Sequence, residues 1–106
     1  MKAFISIPMV GRSDAEVKRE MNRVSEFIKQ EYGDNTEILD SFVEENPPDD
    51  AGRIPVWYLS KSIEVLAKAQ LAVFAGEWKK ARGCMIEYSA AISYNIPVLD
   101  INPDKL

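Results

Sequence analysis

The stretch Leu71–Ile101, LAVFAGEWKKARGCMIEYSAAISYNIPVLDI, decides the fold. Its opening, Leu71–Ala75, is an unbroken apolar run of strand length, and Gly76–Lys80 after it is a loop entered through a glycine. Ala81–Asn95 has helical period, and Pro97–Ile101 is a second short run that reads as a strand. Two strands joined by a helix run parallel, because a crossover of this length is not a hairpin. Parallel strands are buried on both faces, so the remainder of the chain has to supply helices for both sides of a sheet.

Within this unit the segment Gly76–Ala91 carries an anomaly. On a helix, Gly83, Glu87, Ala90, Ala91 and Tyr94 share one stripe, since positions three, four and seven apart face the same way. Small and aromatic members suit close packing on a sheet, whereas an unpaired buried carboxylate is costly. Glu87 is therefore held in a cleft, paired or protonated; alternatively the helix is rotated and the side chain points into water.

Working outward, Lys2–Ile7 (KAFISI) reads as a buried strand ended by Pro8, and Met9–Arg12 as a loop turning at Gly11. Ser13-Asp14-Ala15-Glu16 is a capping box, with Ser13 as N-cap and Glu16 at N3. The helix it opens carries Val17, Met21, Val24 and Ile28 on one face, with Phe27 beside them, and stops at Gly33. Glu37–Phe42 (EILDSF) is a weaker strand, and Val43–Pro55 is a polar, proline-bearing loop. Val56–Ala69 returns to helical period, with Leu59, Ile63 and Leu66 on one face, and Asn102–Leu106 is a short tail.

Strands alternating with helices predict one α/β domain over residues 1–106: a three-layer Rossmann- or flavodoxin-like parallel sheet of four to five strands, order 2-1-3-4, with helices on both faces. The chain then reverses direction between strands one and three, and ligands bind at the carboxyl ends of those strands. The loops leaving there are Pro8–Ser13 and Gly76–Arg82. The helix bearing Glu87 begins at the second, so the odd carboxylate and the topological switch point meet in one crevice.

Composition bounds the partners. With 46% hydrophobic and 28% charged residues the chain is ordinary globular, and a net charge of −4 speaks against a nucleic-acid polymer, which needs a basic face. One bound nucleotide is compatible with it. The single cysteine, Cys84, excludes an intramolecular disulfide and suggests a cytoplasmic protein. With no histidine in the chain, Cys84 reads as a packing residue rather than a nucleophile, and no metal site is expected. No apolar stretch approaches the ~20 residues that span a bilayer. No targeting segment is expected either, since the run Ala3–Val10 is short and broken by Pro8.

Several side chains near the crevice have both a chemical and a plain reading. Gly11, Arg12, Ser13 and the free N–H groups of a helix start suit a phosphate, with Arg12 offering bidentate recognition; the alternative is a solvated loop. Arg82 either pairs with Glu77 or Asp100 or meets a bound anion. Trp57, Tyr58 and Trp78 either stack on a nucleobase or pack in the core and rim. Asp49 and Asp50 act as acids if their loop folds over the site, and otherwise are simply solvated.

The strand KAFISIP, the loop MVGRS, the stretch YLSKSIEVLAKAQLAVFA and the segment RGCMIEYSAAISYNIPVL together resemble the nucleoside 2-deoxyribosyltransferase superfamily. The likeness is nearest to its nucleotide N-glycoside hydrolases and small, often phage-encoded relatives. It covers nearly the whole chain, and its most specific part is the small-residue–Glu–Ala segment followed by Ile96-Pro97-Val98.

The resemblance implies that Glu87 is the nucleophile that attacks the anomeric carbon of a deoxyribose and displaces the base. It puts Gly11, Arg12 and Ser13 where the hydrolase branch binds a 5′-phosphate. Phe4 stands at a strand position where the family often has tyrosine, so the hydroxyl that would orient the carboxylate is missing. Ser6, Pro8, Tyr58, Gln70, Trp78, Arg82 and Gly83 complete the implied substrate contacts, with no cofactor and no metal. The sequence also departs from the family: the usual acids of the second helix read Gln70 and Ser62, and another falls near Ala81. Base departure needs a proton or a strong hydrogen bond, so the general acid comes from Asp49, Asp50 or a second subunit, or is lacking. The expectation is cleavage or base exchange at the N-glycosidic bond of a nucleoside or its 5′-monophosphate by a homodimer or higher homo-oligomer. The alternative is a non-catalytic module that senses or sequesters a nucleotide.

Overall fold

A computed structural model describes residues 1–39 and 45–106. Strands β1 (Lys2–Ser6), β2 (Glu37–Leu39), β3 (Leu71–Ala75) and β4 (Val98–Ile101) form one all-parallel sheet in the order β2-β1-β3-β4. Helices α1 (Asp14–Tyr32), α2 (Ile54–Leu66) and α3 (Arg82–Ser93) connect them, giving a flavodoxin-like α/β fold. Asp40–Phe42 of the expected second strand, and Val43 and Glu44 of the loop after it, lie outside the described residues.

Strand alternation sorts the core into two halves. Ala3, Ile5 and Ile7 of the first strand segment join Leu71, Val73 and Ala75 of β3 against Val17, Val24 and Ile28 of α1. Phe4, Ala72 and Phe74 face the other way, onto Leu66 of α2 and Cys84 and Ala91 of α3. The sheet is thus covered by α1 on one side and by α2 and α3 on the other. Among the described residues no helix is long and apolar enough to cross a membrane.

Helix boundaries follow their caps. The Ser13 side chain accepts the Glu16 N–H at 3.2 Å, and Gly33, at φ 104°, donates its N–H to the Lys29 carbonyl at 2.8 Å. The second helix begins earlier than its sequence suggests, because Pro55 sits in its first turn. A missing N–H costs nothing there, since the first N–H groups of a helix have no partner in the helix itself. It also ends at Leu66 rather than Ala69. The N–H groups of Lys68 and Ala69 turn back to the carbonyls of Val65 and Leu66, which tightens the exit into β3. The third helix is shorter than Ala81–Asn95, with Ala81 as its N-cap and Asn95 in the left-handed region at φ 62°. The loop after β3 holds a 3₁₀ turn at Trp78–Lys80, and the tail holds another at Pro103–Lys105, fastened to α1 by Arg23 Nη2 donating to the Pro103 carbonyl at 2.6 Å.

β1 and β3 are adjacent in the sheet, and their outgoing connections leave in opposite directions along it, to β2 on one side and to β4 on the other. The loops Pro8–Ser13 and Gly76–Ala81 therefore flank one crevice at the carboxyl ends of the two central strands.

Candidate functional site

The phase of α3 is set by Cys84, Glu87 and Ala91, spaced three and four residues apart and all turned to the interior. Glu87 is only 7% exposed. Ser6, the last residue of β1, alternates to the same face as Phe4, and its hydroxyl donates to Glu87 Oε1 at 2.6 Å. Ser62, on the inner side of α2, faces the same carboxyl. The carboxylate is thus gripped between β1, α2 and α3 at the switch-point end of the sheet.

Burial is the main influence on its charge. Desolvation raises the proton affinity of Glu87 above the ordinary 4.5, while the Ser6 and Ser62 hydroxyls pull it back down. Among the described residues no charged side chain contributes to that balance. The group is a carboxyl bonded to the Ser6 hydroxyl, with Ser62 beside it, in a largely apolar wall, which favours basicity over ion pairing. Cys84 lies beside it. Burial pushes its thiol up to about 11, the Ser6 hydroxyl lowers it somewhat, and the Glu87 charge raises it again. At neutral pH it is a packed thiol and not a nucleophile.

The stripe expected on α3 is rotated at its ends. Gly83 is exposed and Tyr94 is 81% exposed, so Tyr94 projects from the C-terminal end into solvent instead of lying on the sheet. Phe4 is a core residue, buried among Phe74, Leu66 and Trp78. Trp78 is interior as well: it stacks on Tyr88 with centroids 4.7 Å apart, meets Phe74 at 5.1 Å, and its Nε1 donates to Asp100 at 2.9 Å. No free face remains on it for a nucleobase. Trp57 and Tyr58 lie in the first turn and a half of α2, edge to face at 5.0 Å, and Tyr58 is exposed.

The anion loop is occupied by the chain's own groups. Arg12 Nη2 pairs with Glu20, its Nη1 donates to the Pro8 carbonyl at 3.0 Å, and Glu16 stands 4.0 Å from its Nε. Gly11 turns the loop at φ 78°, and Ser13 is committed to capping α1. Gln70 lies elsewhere: it precedes β3, and its Oε1 accepts the Lys2 N–H at 2.8 Å, at the amino end of the strands and away from Glu87. Arg82 is exposed, and the expected partners are taken, Glu77 by Lys80 at 2.9 Å and Asp100 by Lys79 at 3.8 Å. Asp49 and Asp50 are exposed.

Sequence reasoning did not single out Glu20, or assign Ser62 to the site. Both carry a legible signal, a polar residue on an apolar helical stripe: Glu20 between Val17 and Val24, Ser62 between Leu59 and Leu66. Among the described residues no three His, Cys, Asp or Glu side chains gather as they would around a metal ion. Comparison of the chain with models of known protein families, with curated proteins and with solved structures gives no match.

Proposed function

We propose that the crevice above β1 and β3 cleaves or exchanges the N-glycosidic bond of a (deoxy)nucleoside or its 5′-monophosphate, with Glu87 as nucleophile. The observation that carries this reading is the placement of Glu87, buried at the switch point with Oε1 tied to Ser6. With Oε1 held, Oε2 is the attacking atom. It forms a bond to the anomeric carbon as the bond to the base nitrogen breaks and its electron pair leaves with the base, which takes a proton from water. Water or a second base then attacks the same carbon, and the glycosyl ester releases the carboxylate, as in retaining glycoside cleavage. The likeness of RGCMIEYSAA to the deoxyribosyltransferase segment supports the assignment. Trp57 and Tyr58, at the same end of the sheet, are the aromatic surfaces available to a base, where stacking contributes about 1–3 kcal/mol.

The test is incubation with a panel of nucleosides, deoxynucleosides and their 5′-monophosphates, with chromatographic detection of free base. Wild type releases base and Glu87→Gln does not. Absence of base under every condition, with equal nucleotide binding by both forms, would leave the second reading, a non-catalytic nucleotide-binding module. One observation favours that second reading: among the described residues the side chains that set the charge of Glu87 are the Ser6 and Ser62 hydroxyls, with no acid among them to protonate a leaving base. A cytoplasmic setting accords with the single unpaired thiol. We also assign the molecule to a homodimer or higher homo-oligomer, because Met85, Ile86 and Ile92 expose apolar surface on α3. A monomeric mass in sedimentation at micromolar concentration contradicts that assignment.

A further inference from the structure

A second carboxylate stands against the same two loops, and the proposed chemistry does not use it. Glu20 sits on the inner stripe of α1, and its Oε2 is bound to Arg12 Nη2. The pair is partly enclosed, with the Arg12 side chain 26% and the Glu20 side chain 16% exposed. Glu20 Oε1 is buried, has no hydrogen-bond partner among the described residues, and lies against Gly76, where an added Cβ would come within 2.9 Å of it. The glycine that opens the loop after β3 therefore also makes room for this carboxylate. Arg12 is the cation expected to receive a phosphate in the loop after β1, yet its fork is filled from within by Glu20 and the Pro8 carbonyl, and Glu16 stands 4.0 Å from its Nε.

We propose that Glu20 is a specificity-determining residue: by holding Arg12 it closes the loop to phosphate, so that the crevice selects an uncharged nucleoside over its 5′-monophosphate. A dianion arriving at Arg12 meets two carboxylates for one guanidinium, and it has to displace a partly enclosed ion pair before gaining any contact of its own. A sugar hydroxyl carries no such repulsion. The nucleoside half of the proposal rests on the function proposed above, whereas the competition between Glu20 and an external anion for Arg12 does not.

The experiment is calorimetric titration of the whole chain with a deoxynucleoside, its 5′-monophosphate and inorganic phosphate. Wild type, Glu20→Gln, Glu20→Ala and the double variant Arg12→Ala/Glu20→Gln are compared, each checked for fold by circular dichroism. Wild type is expected to bind the nucleoside about tenfold or more tightly than the monophosphate, a tenfold ratio corresponding to about 1.4 kcal/mol. The Glu20 variants lose that preference and acquire phosphate binding, and the double variant loses the phosphate binding again. Equal or tighter binding of the monophosphate by wild type overturns the proposal, as does an unchanged ratio and phosphate response in both Glu20 variants. If wild type binds neither nucleoside nor monophosphate, the glycosidic reading fails and the phosphate arm decides alone. A gain in the Glu20 variants that vanishes in the double variant then supports Glu20 as the competitor for Arg12, and no gain overturns it.

Discussion

Replacing Ser6 with alanine removes one oxygen from a buried pair, and the size of the loss depends on the charge of its partner. Ser6 is 2% and Glu87 7% exposed, and the hydroxyl donates at 2.6 Å, so solvent does not substitute for the lost bond. A hydrogen bond to an ionised group contributes about 1.5–3 kcal/mol, against about 0.5–1.5 kcal/mol for a neutral pair. Alanine nearly fills the volume of serine, which keeps the cavity contribution small. Ser6→Ala is therefore expected to destabilise the fold by about 1.5–3 kcal/mol at pH 8 and by about half as much at pH 4, where Glu87 is neutral. In urea unfolding this is a midpoint lower by about 0.8–3 M at pH 8, given a slope of about 1–2 kcal/mol per M for a small domain. In a Glu87→Gln background the pH dependence of the loss disappears, which isolates the pairwise energy. A loss of equal size at both pH values in the wild-type background would refute the claim that the hydroxyl serves an ionised carboxylate.

Other consequences are as direct. Because burial holds the folded Glu87 carboxyl above 4.5, the stability tied to its neutral form is complete below 4.5 and is lost as pH rises through the folded value. Glu87→Gln is thus expected to match wild type in stability near pH 4 and to exceed it at pH 8, by about 1.4 kcal/mol for each unit of elevation; calorimetric melting at both pH values checks it. Cys84, with a thiol near 11 and little exposure, carries about one part in a thousand thiolate at pH 8. Its alkylation by iodoacetamide should be far slower than that of an exposed cysteine until the chain is unfolded in urea, as read by intact mass. Gly76→Ala combines a left-handed backbone at φ 71° with a clash against Glu20, and is expected to cost about 1–2 kcal/mol for the backbone alone. Combining it with Glu20→Ala should recover only the steric part, measured as a partial return of the melting temperature.

The elements were legible wherever local chemistry fixes them. The capping box at Ser13 and Glu16, the glycine stop at Gly33 and the run Leu71–Ala75 each specify a boundary within a few residues, and strand–helix alternation is enough for the order β2-β1-β3-β4. Glu87 stood out because a carboxylate among small residues violates the pattern of a sheet-facing stripe. The rotational phase of α3 was less legible. Gly83 and Tyr94 satisfy the same spacing as Ala91, and only the packing of Cys84 and Ala91 beneath Phe74 and Trp78 chooses between them. Trp78 was ambiguous for a related reason: its indole N–H finds Asp100, which is distant in sequence but brought beside the turn by the pairing of β4 with β3. Arg12 looked free for an anion because its partner, Glu20, is eight residues away across the loop-to-helix corner, beyond the spacing at which helical pairs are read. Pro55 marked the start of α2 rather than the end of a loop, since proline is at home in the first helical turn.

The most direct test of the central claim is intact and peptide mass spectrometry of the chain quenched in acid during turnover of a deoxynucleoside. If Glu87 is the nucleophile, a fraction of the wild-type protein gains the mass of one deoxyribosyl group, and the peptide that carries it contains Glu87. Glu87→Gln gains nothing and releases no base. Base release by Glu87→Gln at the wild-type rate, or a glycosyl adduct mapped to another residue, would contradict the account.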